Sequence, residues 1–312
     1  MSTVAEEDEP ATSQSMGLNQ VSEGDIVFAA QFDHMDDANH LRQLFEYFQM
    51  GFIDGCMIFT KEGIEYSNIN GIRTLGTSFM INGIDISYKF NAGMERFVIG
   101  FSLANLAKVT RNVGKKHSLL LFHVRNENHV RYEILSMTVG GKSSHGRGVI
   151  PIKKNIEYET AELPGRGEQI ASIPVAALVA SCTILSNTTP VNHIRVICYR
   201  NGFKFQAINN ADEVLNTQAF YPPTFRLMHG MDGTTLEVHK NAFDTQPGEQ
   251  LLVFNVDRII MKWMRKMVNI PVMTDRVRIY TVENKCGLIF EYNIARCGVA
   301  QTYLMQHESE TS

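Results

Sequence analysis

The stretch CMIFTKEGIEYSNIN, Cys56 to Asn70, is echoed by RVICYRNGFKFQAIN, Arg195 to Asn209. Each reads as an apolar, β-rich run, a basic residue, a polar residue, a glycine, a second β-rich run and Ile-Asn. The glycines, Gly63 and Gly202, stand 139 residues apart, and so do the pairs Ile69-Asn70 and Ile208-Asn209. Lys-Glu-Gly and Arg-Asn-Gly between such runs are tight-turn signals, so each copy predicts a β-hairpin. An echo at constant offset argues for a duplicated domain rather than one irregular fold.

The flanks repeat as well. Before the first hairpin lies MDDANHLRQLFEYFQ, where Leu41, Leu44, Phe45 and Phe48 make a helical stripe. Before the second lies IPVAALVASCTILSN, with Leu178, Cys182 and Leu185 as its stripe and Pro174 at its start. After each hairpin come short strands and a second helix. In the first half this is GFSLANLAKVTRNVGKKHSLLLF, Gly100 to Phe122. Leu103, Leu106, Ala107 and Thr110 share one face; Lys108, Arg111 and Lys115 share another. Gly114 is expected to take a left-handed cap, and Ser118 to Val124 a strand. In the second half the helix is NVDRIIMKWMRKMVN, Asn255 to Asn269. Val256, Ile259, Ile260, Trp263 and Met267 are its expected apolar face. Arg258, Lys262, Arg265 and Lys266 form a basic one. Two basic helices at equivalent places point to a positive surface that binds phosphates without reading bases.

The 312 residues suit about two domains of roughly 100–200 residues each. Six acids and no Lys or Arg fall within residues 1–25. Without them, 27 acids face 29 basic residues, so the body is slightly basic. The organisation expected is a disordered acidic tail over 1–24, a first domain over 25–137, a connector over 138–166, a second domain over 167–306 and a short tail over 307–312. The connector holds an apolar Val149-Ile150-Pro151-Ile152 patch.

Several chemistries lack their signatures. No apolar run approaches the ~18 residues of a membrane span. No secretory signal is visible. The five cysteines form no CxxC pair, so no disulfide framework or zinc site is indicated, and a reducing, intracellular compartment fits. Gly140-Gly141-Lys142-Ser143 fails as a phosphate loop because Ser136 stands where the motif needs glycine. The ten histidines pair with no Cys or acid at ligand spacing. No catalytic residues, metal or cofactor are expected.

The order of these segments resembles the DNA sliding clamp family, the proliferating cell nuclear antigen type. The Gly100–Phe122 segment is similar to the family's helix-then-strand segment. RYEILSM (Arg131 to Met137) is similar to its strand leading into the connector, and CGLIFEYNIARCGVAQTYLMQ (Cys286 to Gln306) to its C-terminal strand pair. The resemblance covers roughly residues 25–306. It implies an α+β fold of two similar clamp domains, each with two helices packed on antiparallel sheets. Three chains would close a ring around duplex DNA and tether a DNA polymerase and other replication and repair proteins, with a clamp loader as a further partner. The activity implied is processivity without catalysis, at sites of DNA replication in a nucleus or viral compartment.

Matched by position, Arg42, Lys108 and Arg111 are implied DNA contacts. Lys115, Lys262, Arg265 and Lys266 join them by helix face. The third helix carries Ala180 and Thr183 where the family often has arginine, so it is neutral. The family's pocket for a short peptide with a Gln and two aromatics maps to Ile69, Arg73, Gly287, Tyr303 and Met305. Val149 and Ile150 are expected to complete it from the connector. Two alternatives stay open: a clamp-fold protein that binds DNA as a monomer or dimer, and a subunit of a heterotrimeric checkpoint clamp.

Overall fold

The computed structural model describes residues 21–306 except 35, 71–72, 92, 139–140, 154–161, 221–225, 230–234, 239–246, 267–275, 284–285 and 295. Strand β1 (Ile26–Phe32) leads into α1 (Asp37–Gly51). The first hairpin follows as β2 (Asp54–Thr60) and β3 (Gly63–Ile69), then β4 (Leu75–Asn82), β5 (Ser87–Phe90) and β6 (Arg96–Ser102). Helix α2 (Leu103–Thr110), β7 (His117–Val124), β8 (His129–Thr138) and β9 (Gly141–Pro151) complete the first half. The second half begins with β10 (Arg166–Pro174), α3 (Val175–Asn187) and the hairpin β11 (His193–Tyr199) and β12 (Gly202–Ile208). It continues through β13 (Val214–Phe220), β14 (Arg226–His229), β15 (Thr235–Val238), β16 (Gln250–Asp257) and α4 (Arg258–Met264). It ends with β17 (Arg276–Val282), β18 (Gly287–Ile294) and β19 (Gly298–Met305).

Both hairpins keep the 139-residue offset at every strand end. Gly63 lies at φ 151° and Gly202 at φ 152°, a region that L side chains rarely enter. At Gly63 an added Cβ would stand 1.9 Å from the Ile81 carbonyl oxygen. The turn therefore requires glycine in the first hairpin, and the second turns through the same angle.

All strand pairs in the three large sheets are antiparallel. One sheet runs β5-β1-β7-β8-β9, another β13-β12-β11-β16, and the largest β10-β17-β18-β19-β4-β3-β2-β6. The largest is a fusion of the two halves: β19 pairs with β4 from Gly298↔Ile81 to Leu304↔Leu75. By chain order, β1-β7-β8-β9 is the counterpart of β10-β17-β18-β19, and β4-β3-β2-β6 of β13-β12-β11-β16. A separate small sheet pairs β14 with β15.

The helices cover one side of the fused sheet. Leu41, Leu44, Phe45 and Phe48 of α1 are buried, as are Leu103, Leu106, Ala107 and Thr110 of α2 and Leu178, Cys182 and Leu185 of α3. Phe48 stacks on Tyr66 of β3 at 4.9 Å and on Phe79 of β4 at 5.9 Å between centroids. Burying a side chain of that size contributes about 1.5–3 kcal/mol. Trp263 of α4 stacks on Tyr47 of α1 at 4.1 Å, and the Tyr47 hydroxyl lies 3.2 Å from the Thr302 hydroxyl of β19. One apolar cluster thus runs through both halves. No helix among the described residues is long and apolar enough to cross a membrane.

Four expectations are corrected. Gly114 does not take a left-handed cap: α2 ends at Thr110, and the Gly114 amide instead donates to His117 Nδ1 at 3.0 Å. The fourth helix does not start at Asn255, because β16 runs through Asp257, whose carboxylate then accepts from the Ile259 amide at 2.8 Å and caps α4. That start rotates the buried face to Ile260, Met261, Trp263 and Met264; Ile259 is 59% exposed, and Met267 lies outside the described residues. The segment read as the start of a connector is β9, which pairs with β8 from His129↔Pro151 to Thr138↔Gly141. Alternation of apolar Val130, Ile134 and Ile150 into the core outweighs the Gly- and Ser-rich composition. RYEILSM accordingly leads into β9, not into a connector. Within the expected tail, Val21 packs against the Ala29, Leu120 and Phe122 cluster, and Glu23 pairs with Lys89 at 2.7 Å; residues 1–20 and 307–312 lie outside the described residues.

Candidate nucleic-acid and partner interfaces

Both basic helices begin directly from a strand. Ser102 ends β6 and caps α2, its hydroxyl accepting from the Asn105 amide at 3.5 Å; Asp257 does the same for α4. Each helix places a lysine in its last turn, Lys108 and Lys262, where the helix dipole favours a cation.

On the helix side, a recess of about 370 Å³ opens between α1, α2 and the turn after α4. Lys108, Arg111 and Lys266 line it together with Gln43, Glu46 and Gln49. Three cations from both halves therefore meet in one place. The one acid, Glu46, already binds Arg42 at 2.7 Å. Arg42 also donates to Asn39 at 3.0 Å, so its charge is turned along α1 rather than into the recess. Lys115 is exposed beyond α2, close to His40. Burial pushes the His40 imidazole below its ordinary value; Asp36 opposes this and Lys115 adds to it. Lys262 is exposed on α4 and Arg265 is half-buried in the following turn; neither lines the recess. Arg258 donates to the Ser186 carbonyl at 2.8 Å and so satisfies the end of α3. The outer face of α3 carries no charge: it exposes Ala176, Ala177, Ala180 and Ile184, with Ile259 of α4 nearby in the α3–α4 pair.

The opposite side of the fused sheet carries three cross-strand rows. Ile69, Gly76, Tyr303, Ile289 and Tyr280 form the first by direct register. Ser67, Ser78, Gln301, Glu291 and Arg278 form the second. Ile58, Glu65, Met80 and Val299 form the third. Because side chains alternate, all three rows face away from the helices, while Tyr66 and Phe79 point toward them.

The first row belongs to a satellite apolar cluster of Tyr280, Val282, Ile289, Tyr303 and Met305, against which Ile69, Leu163 and Cys286 pack. Ile69, Tyr303 and Met305 are thus brought together. Gly287 lies directly beneath: an added Cβ would stand 2.1 Å from the Leu304 carbonyl oxygen. Arg73 sits at φ 53° in the β3–β4 turn at the rim, where Asn70 braces the loop by accepting from the Leu75 amide at 3.0 Å. Val149 and Ile150 are elsewhere. Ile150 is 1% exposed in the main core and Val149 lies on β9, in a different sheet. Leu163 takes the place expected of them, its methyl lying over Gly76 beside Tyr303 and Met305. Sequence reasoning missed Leu163 because Ile156, Tyr158 and Leu163 are equally apolar in that segment; only Pro164, which holds its neighbour extended, set it apart.

The second row is a polar chain. The Tyr303 hydroxyl donates to Gln301 at 2.6 Å, and Gln301 donates to Glu291 at 2.9 Å. Burial raises the Tyr303 pKa. Glu291 is 4% exposed yet met by Arg166 at 2.9 Å and Arg278 at 3.1 Å, which offsets its desolvation. No group of three or more His, Cys, Asp or Glu among the described residues is placed to hold a metal ion. Burial pushes the thiols of Cys182, Cys198 and Cys297 up to about 12, which makes them poor nucleophiles.

Two half-sheets fused edge to edge, repeated hairpins and helices gathered on one side define the fold of a DNA sliding clamp. A crystal structure of proliferating cellular nuclear antigen from Entamoeba histolytica matches with a TM-score of 0.65 at 13% identity. The match covers 90% of this chain and 98% of that one. At sequence level there is no such support: no family profile and no curated protein matches.

Proposed function

We propose that this chain is a DNA sliding clamp, a processivity factor that surrounds duplex DNA and tethers a DNA polymerase and other replication and repair proteins. The observation that carries it is the recess where Lys108, Arg111 and Lys266 converge from both halves on the helix side. Such a surface holds phosphates without base readout, so the protein slides. The apolar cluster around Tyr303, Met305 and Leu163 lies on the other side of the sheet, where a peptide-borne partner docks without competing with DNA. Tethering raises the partner's effective concentration at the primer end.

The internal duplication supports a ring. Within one chain, β19 closes against β4. Their counterparts, β9 and β13, are the outermost strands of their sheets, and neither has a strand neighbour on its outer edge among the described residues. Val214 and Leu215 of β13 are 48% and 38% exposed, which leaves an apolar edge open to pairing. Repeating the β19–β4 closure between chains joins β9 of one copy to β13 of the next. That contact is head-to-tail and closes as a homotrimer. Light scattering behind a sizing column is expected to give three times 35.2 kDa. Complexes on nicked circular DNA are expected to outlast those on linear DNA of equal length. A stable monomer with equal lifetimes on both would overturn the ring.

A further inference from the structure

On the partner side of the fused sheet, a second recess of about 580 Å³ spans β2, β3, β4, β19 and β18. Its walls include Ile58, Met80 and Val299 of the third row, and its polar groups include Glu65, Ser78 and Glu291. Glu291 is already met by Arg166 and Arg278. Glu65 is different. It is only partly exposed, and its carboxylate has no hydrogen-bond or ion-pair partner among the described residues. It stands directly between Ile58 and Met80 in register, and Met80 is 43% exposed. Cross-strand neighbours lie about 4.5–5.5 Å apart, so an aliphatic strip flanks a lone anion.

We infer that this recess binds the side chain of a lysine or arginine carried by the docked partner peptide. Such a side chain lays its methylene stem on apolar surface and keeps its charged head on a carboxylate. This rests on the docking reading above and adds a specificity determinant to it. Glu65 lies four residues along β3 from Ile69, which is about 13 Å at 3.3 Å per residue. An extended peptide covers that distance in about four residues. The partner segment therefore carries a basic residue about four positions from its apolar anchor, and Glu65 selects for it.

The test uses the full chain and three fluorescent synthetic peptides with a Gln and two aromatics. One has lysine four residues before the aromatics, one has it four residues after, and one has neutral glutamine at both positions. Anisotropy at 100 mM salt is expected to show one lysine peptide binding about tenfold tighter than the neutral one. Glu65→Gln, which keeps the shape of the site, is expected to erase that advantage and leave the neutral peptide unchanged. Glu65→Lys is expected to reverse it. A lysine advantage that survives Glu65→Gln, or no advantage at all, overturns the inference while neutral-peptide binding lost in Tyr303→Ala still upholds the docking reading. If none of the three peptides binds, both fall.

Discussion

Gly63 and Gly202 turn the two hairpins through φ angles of 151° and 152°, and their strands begin and end in step. The helices on those hairpins present different surfaces. In the first half, Lys108, Arg111 and Lys115 stand exposed beside α1. In the second, α3 shows Ala176, Ala177, Ala180 and Ile184, and the exposed cations among the described residues of this helix pair, Lys262 and Lys266, belong to α4 and the turn after it. The difference separates two kinds of constraint. A turn that admits no Cβ leaves no freedom to drift. A helix face toward solvent is not held by packing, so α2 and α3 can carry different charge on the same scaffold.

The largest test removes the aromatic stack that joins the halves on the helix side. Trp263→Ala takes a 5%-exposed indole from its stack on Tyr47 and is expected to cost about 3–5 kcal/mol in urea unfolding. Loss below 1 kcal/mol would mean that the halves are held by the β19–β4 seam alone. Next come the turns. Gly63→Ala and Gly202→Ala are each expected to cost about 3 kcal/mol, because alanine must enter a glycine-only region. Markedly unequal costs would show that the hairpins are alike in shape but not in strain.

The helix surfaces are compared through DNA. Lys108→Ala, Arg111→Ala and Lys266→Ala combined are expected to reduce the slope of log K against log salt by about 2.7, at ~0.9 per phosphate contact, in anisotropy titrations on duplex DNA. Ala180→Arg is expected to raise the slope by about 0.9, since it restores a charge where the second half lacks one. No gain would place the α3 face away from the duplex. The smallest effect is in pH. Burial lowers the pKa of His40 on α1 and of His123 on β7, although a carbonyl contact from His129 opposes it at His123. The unfolded chain therefore binds more protons than the folded one below pH 6.5, and stability falls as pH drops from 6.5 through the folded values. Both residues lie in the first half, so amide protection factors at pH 5.5, corrected for the intrinsic exchange rate, are expected to fall in α1 and β7 before α3 and β11.

Much of this was legible in order along the chain. The hairpins, the stripes of α1, α2 and α3 and the basic residues of α2 follow from periodicity and turn chemistry, which act over a few residues. The fourth helix was misread because Asp257 belongs both to a strand and to a cap, and its pattern fits either. The role of β9 was hidden by Gly, Ser and Lys, residues that read as a loop unless the edge of β8 is known to need a partner. At the candidate sites, Lys108 and Arg111 share a helix face that spacing reveals, but Lys266 joins them only because Trp263 packs α4 against α1. Leu163 carries only the weak local signal of the proline that follows it, and Glu65 carries none.

Local conformation and residue type suffice for the duplicated α+β chain, the turn glycines and the charge of each helix. Which strand edges fuse and which stay open, which cations converge and which acid has no partner among the described residues follow from the packing of the two halves. Those outcomes depend on contacts between residues hundreds of positions apart, such as Met80 with Val299 and Tyr47 with Trp263, and burial and register set them only once the two halves have closed on each other.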